Sequence, residues 1–359
     1  MAERTAIEWT QSTWNPIRAR NRYTGKVGWH CEHASEACRF CYAERRNRWI
    51  GTGLHFKPGH RDDIEIFLDE KMLTLPLRWR EGRPVFVCSM TDLFADFVTD
   101  EMILRVLDII RRTSWDGGSG CGTIGRGNGE HTYQVLTKRP ARMAAFMKRL
   151  RFRNDLPADK VALYLAEDKY PPIVMRNLWL GVSAEDQANA DARIPDLLAT
   201  PAAVRFVSLE PLLGPIDLTN LDHTGMCRRD EVHGISAIWK DNAIGRVWLD
   251  WVIVGGESGP KARPMHPDWE RQIRLACAAA GVPYFGKQWG EWTVVYNRDV
   301  DDPDWRQCGA VERKTPRGRW LNLAGGFGFH GDRVVRVDRI GKKHAGRLFD
   351  GVEHNGMPR

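Results

Sequence analysis

The stretch Leu178-Trp-Leu-Gly-Val-Ser-Ala-Glu-Asp186 reads as the join of a strand to a helix. Leu178 to Val182 is a short apolar run of the kind that is buried on both faces of a parallel sheet. Ser183 to Asp186 turns polar, with a spacing close to that of a capping box, and Asp186 to Ala199 continues with the apolar repeat of a helix. A buried strand that runs into a helix is half of a βαβ unit.

The same unit recurs on either side. Val85-Phe-Val-Cys88, Tyr133-Gln-Val-Leu136, Val204-Arg-Phe-Val-Ser208 and Trp251-Val-Ile-Val254 are further buried strands, with Pro283-Tyr-Phe285 a weaker sixth. Helical patterns fall at Asp100 to Arg112, Arg139 to Leu150 and His266 to Ala280. Strands alternating with helices predict parallel pairing and right-handed crossovers. The expected fold is therefore α/β, a partial or complete parallel (β/α) barrel over residues 1–292. Polar insertions interrupt it near 113–131 and 219–248; the first is Gly-rich but lacks the Gly-x-x-x-x-Gly-Lys-Ser/Thr order of a phosphate loop and follows no strand. Residues 293–359 form a basic C-terminal extension with weak β character.

In such a barrel the C-terminal strand ends carry the chemistry. Those ends read Ser89-Met-Thr-Asp-Leu-Phe94, Thr137-Lys-Arg-Pro140, Ser183-Ala-Glu-Asp186, Leu209-Glu-Pro-Leu212 and Gly255-Gly-Glu-Ser-Gly259. Any one of them serves equally well as a helix cap. Five in succession point to a shared site.

The 359 residues include 53 Lys and Arg against 46 Asp and Glu, a formal charge of +7 that favours an anionic partner. No apolar run approaches the ~18 residues of a membrane span, and the N-terminal MAERTAIEWTQ lacks the apolar core of a secretory signal. A cytoplasmic protein without membrane contact is expected. In a reducing compartment clustered cysteines bind metal or do chemistry, and Cys31, Cys38 and Cys41 are the one cluster among eight cysteines. Their spacing, six residues and then two, supplies three thiolates. A zinc site would need His30 or His33 as its fourth ligand; a [4Fe-4S] cluster held by three thiolates would keep one iron open.

Cys-x-Phe-Cys, followed by a helix and a run of βα units, resembles the radical S-adenosylmethionine (SAM) superfamily, whose Cys-x3-Cys-x-aromatic-Cys loop binds a [4Fe-4S] cluster with SAM on the open iron. The first gap here is six residues instead of three. A longer string runs from Thr13-Trp-Asn-Pro16 and the three cysteines through Leu136-Thr-Lys-Arg-Pro140, Leu180-Gly-Val-Ser183 and Ser208-Leu-Glu-Pro211. With Val254-Gly-Gly-Glu-Ser-Gly259 and Lys287-Gln-Trp-Gly290, it resembles a family of phage and bacterial three-cysteine proteins of unknown function with radical-SAM-like character.

The resemblance implies a TIM-like radical SAM barrel, a [4Fe-4S] cluster on Cys31, Cys38 and Cys41, and SAM cleaved to a 5′-deoxyadenosyl radical. Ser89 and Asp92 would then meet the SAM amino group, Ser183, Glu185 and Glu210 the ribose or methionine part, and Glu257 SAM or substrate. Tyr42 and Cys88 are weak candidates to relay or quench a radical. The substrate expected is DNA or RNA, to be repaired or modified, with Lys138, Arg139, Lys287 and Trp289 as contacts and Trp9, Trp14 or Trp49 as further stacking surfaces. An electron donor and a partner protein complete the expected partners. The alternative is a zinc- or cluster-stabilised nucleic-acid-binding or redox-sensing partner protein without SAM chemistry.

Overall fold

The structure is a computed structural model, described here for residues 5–114, 130–153, 162–167, 169–222, 235–239, 247–299, 301–302, 308–328 and 333–358. Most of both expected insertions, and Cys121 and Cys227 with them, lie outside the described residues.

The chain is mixed α/β. Its seven central strands are β1 (Ser12–Trp14), β2 (Pro84–Val87), β3 (Thr132–Thr137), β4 (Leu178–Ser183), β5 (Val204–Leu209), β6 (Trp251–Gly255) and β7 (Tyr284–Gln288), hydrogen-bonded in that order. The pairs β1–β2, β2–β3, β3–β4 and β6–β7 are parallel. Sequence order and spatial order coincide, as successive right-handed βα crossovers require. The parallel α/β expectation holds as this open sheet, with β1 and β7 at its edges; a closed TIM-like ring is not what the strand order describes.

By contact density the chain divides into two compact units, 1–182 with 196–206, and 183–195 with 207–359. In the first, Val85 and Val87 of β2 and Tyr133 and Val135 of β3 are buried, as are Ile103, Val106, Leu107 and Ile110 of helix α2 (Asp100–Arg112). That helix opens where Thr99 accepts from the Met102 amide at 3.2 Å. Its first turn is acidic (Asp100, Glu101) and its last basic (Arg111, Arg112), both favourable to the helix dipole. Helix α1 (Tyr42–Ile50) precedes it and α3 (Pro140–Arg149) follows β3. A small antiparallel sheet of Val27–Gly28, Ile17–Asn21 and Ile64–Leu68, in that order, flanks α1 in sequence.

The second unit carries helix α4 (Gln187–Leu198) through residue 195, together with α5 (Pro267–Ala280) and strands β6 and β7. The cap of α4 is Asp186, which accepts from the Asn189 amide at 2.9 Å. The expected Ser183 box therefore gives way to a carboxylate one turn nearer the helix. Helix α5 starts with His266 accepting from the Asp268 amide and ends on Gly281 in the left-handed region, φ 68°. The weak β character after residue 292 resolves into an antiparallel sheet of β8 (Trp292–Arg298), β9 (Arg319–Leu321) and β10 (Val334–Arg339), ordered β8-β10-β9. Trp292, Leu321, Val335 and Val337 form its core. Among the described residues no helix is long and apolar enough to cross a membrane.

Candidate functional site

The second and third strands of the sheet are bonded from their C-terminal ends to the segment that carries the cysteines, and the first is tied to the second beside them. Just past β1, Asn15 Oδ1 accepts from the Met90 amide at 3.0 Å and from the Ser89 hydroxyl at 3.3 Å, tying the ends of β1 and β2 together. Past β2, the Thr91 hydroxyl donates to the His30 carbonyl, and the Ser89 carbonyl accepts from the Tyr42 hydroxyl at 2.6 Å. Past β3, Arg139 donates to the Glu32 carbonyl at 3.1 Å. Residues 30–42 are thereby seated on the C-terminal ends of parallel strands.

Within that segment a 3₁₀ turn, Glu36–Phe40, holds Cys38, and the Cys41 amide donates to the Cys38 carbonyl at 3.2 Å just before α1 begins. Cys31, Cys38 and Cys41 are all half-buried free thiols. Cys31 and Cys41 pack with Trp29 on an apolar wall of Ala43, Phe56 and Met90. Burial pushes the Cys31 thiol up; the Asp92 carboxylate adds to this, Arg139 opposes it, and Cys41 and Cys38 contribute further. Burial also raises Cys41, against the pull of the Glu44 and Ala43 backbone N–H groups in the first turn of α1. The three sulfurs are thus electrostatic neighbours, and a bound metal centre would have to displace protons from them.

Among the described residues no three His, Cys, Asp or Glu side chains are gathered closely enough to hold a single metal ion. The expected fourth zinc ligands are engaged elsewhere. His33 and His55 both bind the Glu44 carboxylate, each at 2.5 Å, and His30 is edge-on to Phe56 and Phe97 beside Glu32. The donor set, three soft thiols in one loop against an apolar wall, fits an iron–sulfur cluster, whose cysteines ligate separate irons and stand farther apart than ligands of one ion.

Asp92 is 6% exposed and accepts four hydrogen bonds: Thr137 Oγ1 at 2.7 Å, the Phe94 and Lys138 amides at 3.0 Å, and Arg139 at 3.1 Å. A carboxylate offers about four acceptor positions, so Asp92 has none left for a SAM amino group. It is a positioning residue that aims Arg139 at the cysteine loop. Arg139 is likewise spent on Asp92 and Glu32 and is no free nucleic-acid contact. Cys88, the other weak radical-relay candidate, is buried, with φ 55° at the turn out of β2. Tyr42 is exposed with its hydroxyl held by Ser89. Sequence reasoning missed Glu32, which His30 and Arg61 flank; Arg61 makes a two-pronged pair with it and holds its carboxyl below the usual range.

Ser183, Glu185, Glu210, Glu257, Lys287 and Trp289 belong to the second unit and are described within it. Glu185 is 0% exposed and paired with Arg193 at 3.1 Å, while Arg193 also donates to the Ser183 carbonyl at 2.8 Å. Glu185 is thereby enclosed in an ion pair, and Ser183 is held through its carbonyl. Glu210 accepts from Lys287 Nζ at 2.7 and 2.8 Å and from Gln288 at 3.3 Å, at the ends of β5 and β7. Glu257 is clamped by Arg263 through its side chain at 2.7 and 2.9 Å and its amide at 2.8 Å. Trp289 is 9% exposed, stacked on Phe349 at 4.7 Å and donating to the Leu348 carbonyl. It cannot offer a face to a base, and Trp9 and Trp14, at 3% and 0% exposure, cannot either.

No curated protein and no solved structure matches the chain. A family model does match, over residues 4–358, and the chain accordingly belongs to the family described as Protein of unknown function (DUF5131).

Proposed function

We propose that the protein is an iron–sulfur enzyme that binds one [4Fe-4S] cluster through Cys31, Cys38 and Cys41 and uses it to cleave SAM. The family description names no activity, so the reading rests on the site. The observation that carries it is the bonding of a three-thiol loop to the C-terminal ends of two adjacent parallel strands, β2 and β3, the end of a βα sheet where ligands gather. Held by Cys31, Cys38 and Cys41, a cluster with one open iron would supply reductive SAM cleavage, drawing its electron from a separate electron donor.

The chain's own part is to hold and shield. Asp92 and Arg139 fix the loop through the Glu32 carbonyl, and Thr91 fixes it through the His30 carbonyl. Phe56 and Met90 keep water from one side of Cys31 and Cys41. The α1 amides aim positive dipole at the Cys41 sulfur and favour its thiolate.

Anaerobic reconstitution with iron and sulfide tests the reading. Brown protein with about four irons per chain, which releases 5′-deoxyadenosine from SAM when reduced with dithionite, is the expected outcome. Colourless protein that binds zinc in its place overturns the cluster. Brown protein that neither binds nor cleaves SAM overturns the chemistry and favours a redox-sensing role.

A further inference from the structure

Helix α1 starts at Cys41 and leads away from the cysteine loop, and its composition by face is lopsided. Tyr42, Arg45, Arg46 and Trp49, at positions i, i+3, i+4 and i+7, share one exposed face, flanked by Arg48. Trp49 is 86% exposed, a degree of exposure that costs a large apolar ring its burial. The only acid of the helix, Glu44, is turned inward and consumed by His33 and His55. Among the described residues Arg45, Arg46 and Arg48 make no ion pair. Three uncompensated cations therefore surround an open indole face. Tyr23, 80% exposed, sits on a turn that Asn21 ties to Thr52 just past the far end of the helix.

We infer that this face of α1 is a track for single-stranded nucleic acid, running from Trp49 toward the cysteine loop; that it delivers the substrate there rests on the proposed function. Arginines spaced along a helix follow phosphates, and an exposed indole stacks on any base without reading it. The rise from Tyr42 to Trp49 is about 10 Å, about three phosphate spacings at the ~3.4 Å of a stacked duplex strand and fewer where a single strand is unstacked. A base held unstacked on the track is also the form in which a buried reaction centre can reach it. An anionic membrane would be served by the same charges, but an interfacial helix wants a continuous apolar face. Here Trp49 and Ile50 at one end are the sole large aliphatic or indole groups exposed on α1.

The test is fluorescence anisotropy with a labelled 12-nucleotide mixed-sequence DNA strand and its RNA counterpart, on full-length protein with and without cluster. Trp49→Ala should weaken binding by roughly five- to a hundredfold, as loss of one stacking platform does. The triple variant Arg45→Ala/Arg46→Ala/Arg48→Ala should lower the slope of log affinity against log salt by about two, at ~0.7 per lost phosphate contact. All four positions are exposed, and circular dichroism confirms that the variants fold. Wild-type-like binding by both variants overturns the track, as does equal affinity for a blunt duplex, or binding to phosphatidylserine vesicles without binding to either strand. Iron content and SAM cleavage are measured on the same samples. Binding in cluster-free Cys31→Ser protein supports the track irrespective of the cluster. Iron and SAM cleavage with no strand binding sinks the track and leaves the proposed function standing.

Discussion

The Arg139 guanidinium donates to the Asp92 carboxylate at 3.1 Å and, through its other terminal nitrogen, to the Glu32 carbonyl at 3.1 Å. One side chain from the end of β3 thus connects a saturated, buried carboxylate after β2 to the peptide next to Cys31. The cysteine loop is in this way tied to a residue more than a hundred positions away in the chain.

Asp92→Ala should therefore act as a stability and loop-order mutation before it acts on any ligand. Removing one partner of a buried, hydrogen-bonded pair costs about 3–5 kcal/mol, and the midpoint of urea unfolding should fall accordingly. Unchanged unfolding combined with weakened SAM binding would return Asp92 to the ligand.

Cys31→Ser, Cys38→Ser and Cys41→Ser should each abolish the visible absorption and most of the iron after reconstitution. Cys277, a buried thiol on α5 far along the chain, provides the comparison: Cys277→Ser should keep its iron. Full iron retention in Cys38→Ser would disprove the three-cysteine assignment.

His131 is buried edge-on to Trp79 and Tyr133, and burial, helped by the Arg83 charge, lowers its imidazole to about 4 from 6.5. The unfolded chain takes up the proton first as pH falls. The stability this group contributes is full above about pH 6.5 and is lost progressively as pH drops toward about 4. Urea unfolding across that window should show less pH dependence in His131→Phe than in the wild type. His266, likewise lowered to about 4 by burial, keeps its own share.

Gly256→Ala should be poorly tolerated. A Cβ built there lies 2.1 Å from the Trp289 carbonyl oxygen, and backbone cannot swing aside as a side chain can. Overpacking of this kind costs about 1–3 kcal/mol or more, readable as a lower thermal midpoint. A midpoint equal to the wild type would mean that the turn after β6 is free to shift.

Much of the fold was legible because its strands are buried on both faces, so their apolar runs stand out. Trp251, Val252, Ile253 and Val254 are all fully enclosed and were read correctly. Strand β1 was not: Ser12, Thr13 and Trp14 carry no apolar run, and the strand exists because β2 pairs with it. At the site, the cysteine loop was visible as spacing. The saturation of Asp92 was not, since its donors Thr137, Lys138 and Arg139 lie 45 to 47 residues downstream. The number of tryptophans raised the prospect of base stacking, but exposure, which decides it, is a property of packing: Trp14 is enclosed and Trp49 open.

Strand β7 stands at one border of the sheet, yet its outer rim is not bare. Gly286 donates to the His354 carbonyl at 2.9 Å, Gly356 to the Tyr284 carbonyl at 2.9 Å, and the Trp251 indole to the Gly356 carbonyl at 2.7 Å, with Phe285 bridged antiparallel to Asn355. A few residues of tail act as a selvedge, binding off main-chain groups that would otherwise be open to a neighbouring copy. Expression of the chain cut at residue 350 should give sheet-edge aggregates that bind thioflavin where the full chain gives none, with the cysteine loop's own residues untouched.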